Sequence, residues 1–332
     1  MGQTLIIAEA GVNHNGDISI AKKLVDAAKN AGADIVKFQT FDVDSITSKY
    51  AEMAQYQKRN IGQIKSQKEM LSELTLTHEE FIELSKYCRE KEIGFLSTPF
   101  DIPSVSFLIS LGCDLWKIPS GEITNYPYLV EIAHTNKDII LSTGMSTLVE
   151  VEAAINLLKD EGSGSISLLH CTTQYPTPYD SVNLRAMITL KERTGLEVGY
   201  SDHTKGIEIP VAAVAMGASI IEKHFTLDRN MQGPDHKASL EPYELKQMIE
   251  AIRHIESAFG NGEKIPVDSE KENISIARKS IVAKCNIKMG ELLTEDNLTT
   301  KRPGNGINPM NWKSVLGTKA IRDFGEDELI EV

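Results

Sequence analysis

The 332-residue chain has no apolar run approaching the roughly 20 residues that a membrane-spanning helix needs. Its first residues lack a basic cluster, and the apolar run from Leu5 to Ala8 is too short for a secretory signal. Met1-Gly2 could open a myristoylation signal, but Ile6 stands where that signal needs Ser or Thr. Cysteine is scarce: Cys88, Cys113, Cys171 and Cys285 are scattered and form no CxxC pair. That argues against a disulfide framework or a structural zinc site and fits a reducing, cytoplasmic setting. Cations are outnumbered, 35 Lys and Arg against 47 Asp and Glu, for a net charge of -12. Such a balance disfavours nucleic acid and anionic membrane surfaces as partners, though lysines in a cleft can still hold a small anion. A dinucleotide loop is missing too. After the first apolar run the chain reads AGVNHNG, not GxGxxG, which leaves an open doubly wound sheet as the second choice of fold.

What is present is a rhythm. Short apolar runs alternate with amphipathic stretches: Leu5 to Glu9, Asp34 to Gln39, Gly94 to Thr98, Asp114 to Ile118, Asp138 to Thr143, Ile166 to Cys171, Glu197 to Asp202 and Ile220 to Phe225. The spacing of Ala21, Leu24, Val25 and Ala28 predicts a helix over Ile18 to Ala31. Thr77 with Glu80 has capping-box spacing, and Glu241-Pro242 opens the last helix of the series. Runs this apolar suit parallel strands buried on both faces. Eight of them, each followed by a helix within about 260 residues, predict a (β/α)8 TIM barrel. One polar segment, Thr40 to Leu76, is too long for a connector and reads as an active-site insertion.

A domain organisation follows: a barrel over residues 1–260, a linker over 261–273, and a small second domain over 274–332. The linker is polar and carries Gly and Pro. From Ile274 onward Lys and Arg number nine against eight Asp and Glu, so nearly all the negative charge precedes that point.

The strand ends carry the chemistry. They give Glu9; Lys37 and Gln39; Thr98; Lys117, Ser120 and Glu122; Ser142; His170 and Thr172; Ser201 and His203; and His224. In a barrel these ends converge on one mouth, where active sites of this fold lie. Any one of them could be an ordinary strand-end cap; eight strands ending alike is not what capping alone produces. Around His224 the sequence IIEKHFTLDRNMQGPDHKASLEP runs an apolar strand into a Gly/Pro/Asp loop, the way a barrel presents a metal ligand. His14 and His236 also fall on mouth loops, as candidates for a supporting role.

The segments IAEAGVNHNG, VKFQT, FLSTPFD, WKIPSGEITN, LSTGM, LLHCTTQYPTP, GYSDHT, EKHFTLD, GPDHKASLEP and KRPGNGI resemble, in order and along nearly the whole chain, the sialic acid synthases. The resemblance implies a TIM barrel followed by an antifreeze-like (SAF) domain. It implies condensation of phosphoenolpyruvate with an N-acetylated mannosamine-type sugar, and a domain-swapped homodimer in which each small domain caps the partner's barrel. It assigns His203 and His224 to a divalent metal. Two imidazoles suit Mn2+, Co2+ or Zn2+ better than Mg2+, which prefers oxygen ligands, and Mn2+ is the expected ion. Lys37, Thr98, Lys117, Ser120, Ser142 and Ser201 match positions that hold phosphoenolpyruvate. Glu9, Gln39, Glu122, Tyr175 and Asp235 match positions around the sugar, the metal and the reacting carbons. Arg302 matches an arginine that reaches a partner subunit's sugar. Thr173 departs from the Asn of some members and marks a difference in acceptor.

On this reading two lysines neutralise and orient the phosphoenolpyruvate anion. A carboxylate, assigned to Glu122, steadies the cationic carbon and orients water, while Glu9 or Asp235 assists sugar opening. Two other functions remain open on the residues alone. One is a Schiff-base aldolase or lyase using Lys37 or Lys117. The other is a carbohydrate- or ice-binding protein, for which the regular Thr array that ice would want is absent from 274–332. Among nonulosonic acids, N-acetylneuraminate, legionaminate and pseudaminate are all compatible products.

Overall fold

The computed structural model describes residues 2–48, 57 and 66–332. They form two compact units, Met1–Phe259 and Gly260–Val332. Among the described residues no helix is long and apolar enough to cross a membrane.

The first unit is the expected barrel. Its strands are β1 (Leu5–Gly11), β2 (Ile35–Thr40), β3 (Gly94–Pro99), β4 (Leu115–Ile118), β5 (Asp138–Ser142), β6 (Ile166–Cys171), β7 (Glu197–Asp202) and β8 (Ile220–His224). All seven ladders between these strands are parallel, and the order β3-β2-β1-β8-β7-β6-β5-β4 leaves the seam of a nearly closed barrel between β3 and β4. Helices begin where the sequence supplies caps. Asp17 accepts from the backbone of Ser19 and Ile20 to start Ile18–Ala31, and Gly32 ends that helix in the left-handed conformation that glycine tolerates. Thr77 and Glu80 form the expected capping box before His78–Glu90.

Strand alternation builds the site. Ile7, Leu96, Ile140, Leu169 and Ile220 pack together as an aliphatic layer inside the barrel. Two residues further along each strand the same face carries Glu9, Thr98, Ser142, Cys171 and Glu222, since successive side chains of a strand alternate between faces. The lower lumen is thus an apolar plug and the upper lumen is polar. Outward-facing strand residues such as Ile6, Phe38, Trp116, Leu168 and Ile221 join the much larger core under the helices.

In the segment Thr40 to Leu76 the described residues form two short helices, Val43–Ile46 and Gln67–Ser72. The remainder of that insertion lies outside the described residues. The stretch read as a linker differs from expectation, because its second half is helical over Asp268–Ala277. Glu270 Oε2 accepts from the Val267 backbone at 3.1 Å, which satisfies a free amide at the helix start.

The second unit holds an antiparallel pair, β9 (Ser280–Ala283) and β10 (Leu298–Lys301), in the register Leu298↔Ala283. Its core gathers Ile281, Ile287, Leu293, Leu298, Val315, Phe324 and Ile330.

Candidate active site

A cavity of about 390 Å3 opens at the C-terminal ends of the strands. Of the expected residues of the first unit, Glu9, Lys37, Gln39, Thr98, Lys117, Ser120, Glu122, Ser142, Thr173, Tyr175, Ser201, His203, His224 and Asp235 line it, and His170 and Thr172 do not. Arg302 belongs to the second unit, where its Nε donates to the Ala277 carbonyl at 3.0 Å.

The floor is a charge network centred on a residue the sequence reading passed over. Glu222 lies between two buried lysines, with Lys37 Nζ at 3.5 Å and Lys117 Nζ at 3.6 Å, and it accepts from Ser201 Oγ at 3.0 Å. Each lysine also has a hydroxyl acceptor: Thr98 Oγ1 takes Lys37 at 3.0 Å, and Ser142 Oγ takes Lys117 at 2.7 Å. Lys37 pairs in addition with Glu9 at 2.9 Å, and Gln39 donates to the other oxygen of Glu9 at 3.1 Å. Register explains the assembly, since Glu9 aligns with Lys37 on one side and His224 on the other, and Ser201 aligns with Glu222.

The charges follow from these contacts. Burial opposes ionisation of Glu222, but Lys117 and then Lys37 outweigh it and hold the carboxyl well below its usual range. Burial likewise opposes the charge on Lys37, yet Glu222 and Glu9 together raise its pKa. Lys117 is lowered, chiefly by burial, with Glu222 opposing and Lys37 adding to the shift. Asp235 is pushed up to about 7 by burial and then by the charge of Glu9.

The two imidazoles stand together, with ring centroids 5.6 Å apart, and Tyr175 lies 4.2 Å from His203 and 6.0 Å from His224. His203 Nδ1 is 2.8 Å from the Thr172 carbonyl, so it donates there and leaves Nε2 with a free lone pair. His224 Nδ1 is buried without a hydrogen-bond partner. Burial lowers the pKa of both rings and keeps them neutral, the form that ligates metals. Among the described residues no group of three or more His, Cys, Asp and Glu side chains could hold a metal. The two neutral rings side by side are the donors that would hold a divalent ion, with its other positions left to substrate and water.

Other assignments shift. On β6 it is Cys171 that lines the cavity, 3.2 Å from Ser120 Oγ; His170 turns the other way and meets the Val182 carbonyl at 2.8 Å. Ser120 Oγ also accepts from the Gly144 backbone at 2.9 Å. A Cβ on Gly144 would come 2.5 Å from Thr173 Oγ1 and 2.8 Å from Ser120 Oγ, so this glycine is what lets the two loops close on each other. Glu122 is half-buried at the rim, and its Oε2 accepts from Asn125 at 2.5 Å. His236 meets Thr226 Oγ1 at 2.7 Å and Asn15 at 3.2 Å and so ties two mouth loops together, while His14 accepts from the Gly16 backbone at 3.1 Å within its own loop.

A TIM barrel whose mouth gathers two lysines, two neutral imidazoles and several carboxylates belongs to the class of barrel enzymes with their active site at the C-terminal ends of the strands. The chain belongs to the NeuB family, whose model matches residues 24–264, and a SAF domain model matches residues 278–331. It is 55% identical over 332 residues to an N,N'-diacetyllegionaminic acid synthase of Campylobacter jejuni, covering 99% of each chain. It is 48% identical to a protein of the same name from Legionella pneumophila, covering 95% of this chain and 89% of that one. The N-acetylneuraminic acid synthetase of Leptospira borgpetersenii, solved with citrate, superposes with a TM-score of 0.72 at 37% identity, covering 82% of this chain and 90% of that one.

Proposed function

We propose that the protein is a nonulosonic acid synthase that joins phosphoenolpyruvate, an N-acetylated mannosamine-type sugar and water into a nonulosonic acid and phosphate. The observation that carries this is the Lys37–Glu222–Lys117 floor beside His203 and His224. The names of the relatives favour 2,4-diacetamido-2,4,6-trideoxymannose as acceptor and legionaminate-type product; N-acetylmannosamine is the next choice.

Phosphoenolpyruvate carries a carboxylate and a phosphate. Lys37 and Lys117 receive them, and Thr98, Ser142, Ser120 and Ser201 supply hydroxyls already fixed in place. His203 Nε2 and His224 would hold the divalent ion, Mn2+ by our reading, and that ion when bound supplies Lewis-acid polarisation of the sugar aldehyde. Asp235, which titrates near neutrality, can hold or release the proton that opening the sugar ring requires. The enol carbon C3 of phosphoenolpyruvate forms the new bond to the aldehyde carbon, whose oxygen takes a proton from the protonated form of Asp235 and becomes a hydroxyl. Water adds to the electron-poor C2, giving its proton to a carboxylate, and phosphate then leaves with its bridging oxygen. We assign the water-orienting carboxylate to Glu122 at the rim. Glu122→Gln should lower kcat by about 10²- to 10⁴-fold with little change in melting temperature. Near-full turnover in that variant would return the role to Glu9 or Asp235.

The family resemblance extends the reading to a homodimer in which the partner subunit's Arg302 meets the sugar. Arg302→Ala should then raise the KM for the sugar far more than that for phosphoenolpyruvate in steady-state assays, and equal effects would count against it. The Schiff-base alternative is disfavoured at Lys37, whose ammonium Glu222 and Glu9 hold charged, and at Lys117 it is left to the trapping test. The deciding assay follows phosphate release from phosphoenolpyruvate with Mn2+ and each sugar, with and without chelator. Release that needs sugar and metal supports the proposal. Chelator-indifferent turnover with a borohydride-trapped lysine adduct overturns it.

A further inference from the structure

The cavity's floor is charged, but one wall of its mouth is apolar. Val12 follows β1, Phe41 follows β2 and Phe100 follows β3, while Met70, Leu71 and Leu74 come from the helix Gln67–Ser72 and the turn after it. Val12, Met70 and Leu74 form a buried cluster of their own, with Phe41 and Leu71 packed against it. Phe41 and Phe100 meet edge to face at 6.2 Å. These side chains offer no hydroxyl, amide or charge. Thr47 lines the same side, but its hydroxyl donates to the Val43 carbonyl at 2.7 Å. Elsewhere the lining includes the polar side chains of Ser120, Glu122, Thr173, Tyr175 and Asp235.

We infer that this wall is the acceptor-selecting surface, reading the end of the sugar remote from the aldehyde and choosing a C6 methyl and a C4 acetamido group over hydroxyls. The inference rests on the synthase reading above and adds which residues choose the substrate. The aldehyde carbon must approach phosphoenolpyruvate on the lysine floor, so C4 to C6 extend outward to the mouth, where this wall is an apolar part of the lining. A methyl there covers aliphatic and aromatic surface. A hydroxyl set against Phe41, Phe100, Met70 or Leu71 leaves water without gaining a partner from those side chains, which is unfavourable. Gln67, on the same side, offers an amide to the acetamido group. Apolar walls discriminate against an added hydroxyl by only about 10²-fold, which bounds the expected selectivity.

The test measures kcat/KM for 2,4-diacetamido-2,4,6-trideoxymannose and for N-acetylmannosamine by phosphate release, in the full-length protein. The wild type should prefer the deoxy sugar by roughly tenfold to a hundredfold. Met70→Gln and Leu71→Gln should each shrink that ratio several-fold. Both sugars are assayed on one preparation, so any loss of folded protein cancels from the ratio. A ratio unchanged in both variants, or a wild-type preference for N-acetylmannosamine, overturns this inference alone. Failure of the wild type with both sugars overturns the synthase reading and this inference with it.

Discussion

Replacing Glu222 by Gln is expected to destabilise the barrel by about 3–5 kcal/mol while tightening its hold on phosphoenolpyruvate. The first half follows from what Glu222 separates. It is the carboxylate that both Lys37 and Lys117 reach, and all three side chains are buried. Without its charge, Lys37 keeps Glu9 but Lys117 loses the carboxylate it reaches, in a medium that screens the two ammonium groups poorly. Gln keeps the volume and can still accept from Ser201, so the loss reports charge and not packing. The second half follows from the same electrostatics. A bound dianion would supply the missing negative charge, so the melting-temperature rise on adding phosphoenolpyruvate should be larger in the variant than in the wild type. Turnover should fall, because the lysines are no longer held against Thr98 and Ser142. pH sharpens the test. Glu222 has a folded pKa depressed to about 2, so its stabilisation is present above the unfolded carboxylate value and is lost as pH falls toward 2. The stability gap between the two proteins should therefore be full near neutrality and shrink in acid. Lys117, already lowered by burial, loses its main opposing influence in the variant. Phosphoenolpyruvate binding should then weaken as pH rises, at a lower pH than in the wild type. An equal ligand-induced shift in both proteins would mean that Glu222 is packing and not the balancing charge of the floor.

The barrel was legible because parallel strands buried on both faces leave apolar runs that turn punctuation separates. All eight strands fall where those runs lie. The site was legible as a set of strand ends, but sorting each end by face would have read it further. In Ile220-Ile221-Glu222-Lys223-His224, the period of two puts Glu222 with His224 in the lumen and sends Lys223 outside, where it pairs with Asp202 in full burial. The same sorting separates Cys171 from His170. The apolar wall was hidden for a different reason. Met70, Leu71 and Leu74 sit in a segment polar enough to read as an insertion, and only the fold brings them against Val12. The helix in the linker gave no sign because it buries none of its residues, so it carries no amphipathic period to detect.

The two histidines carry the other large expectation. His203→Ala and His224→Ala should each abolish metal-dependent turnover, by a factor on the order of 10³, while leaving the barrel folded. The two rings are set differently. The Thr172 carbonyl fixes the tautomer of His203 and aims its other nitrogen away. His224 keeps a buried nitrogen with no partner, an arrangement that destabilises the protein unless something binds there. Removing His224 should therefore cost little stability in metal-free protein, and the metal-free variant could even melt higher than the wild type. Adding Mn2+ should raise the melting temperature of the wild type and of neither variant, a readout independent of catalysis. Direct titration with Mn2+ should show one site in the wild type and none in either substitution. If both variants bound Mn2+ as the wild type does, the ion would have to sit elsewhere, and the unpartnered nitrogen of His224 would face substrate alone. If turnover survived both substitutions at near wild-type rates, the aldehyde would have to be activated by the chain's own donors, with Lys37 and the protonated form of Asp235 the nearest to hand.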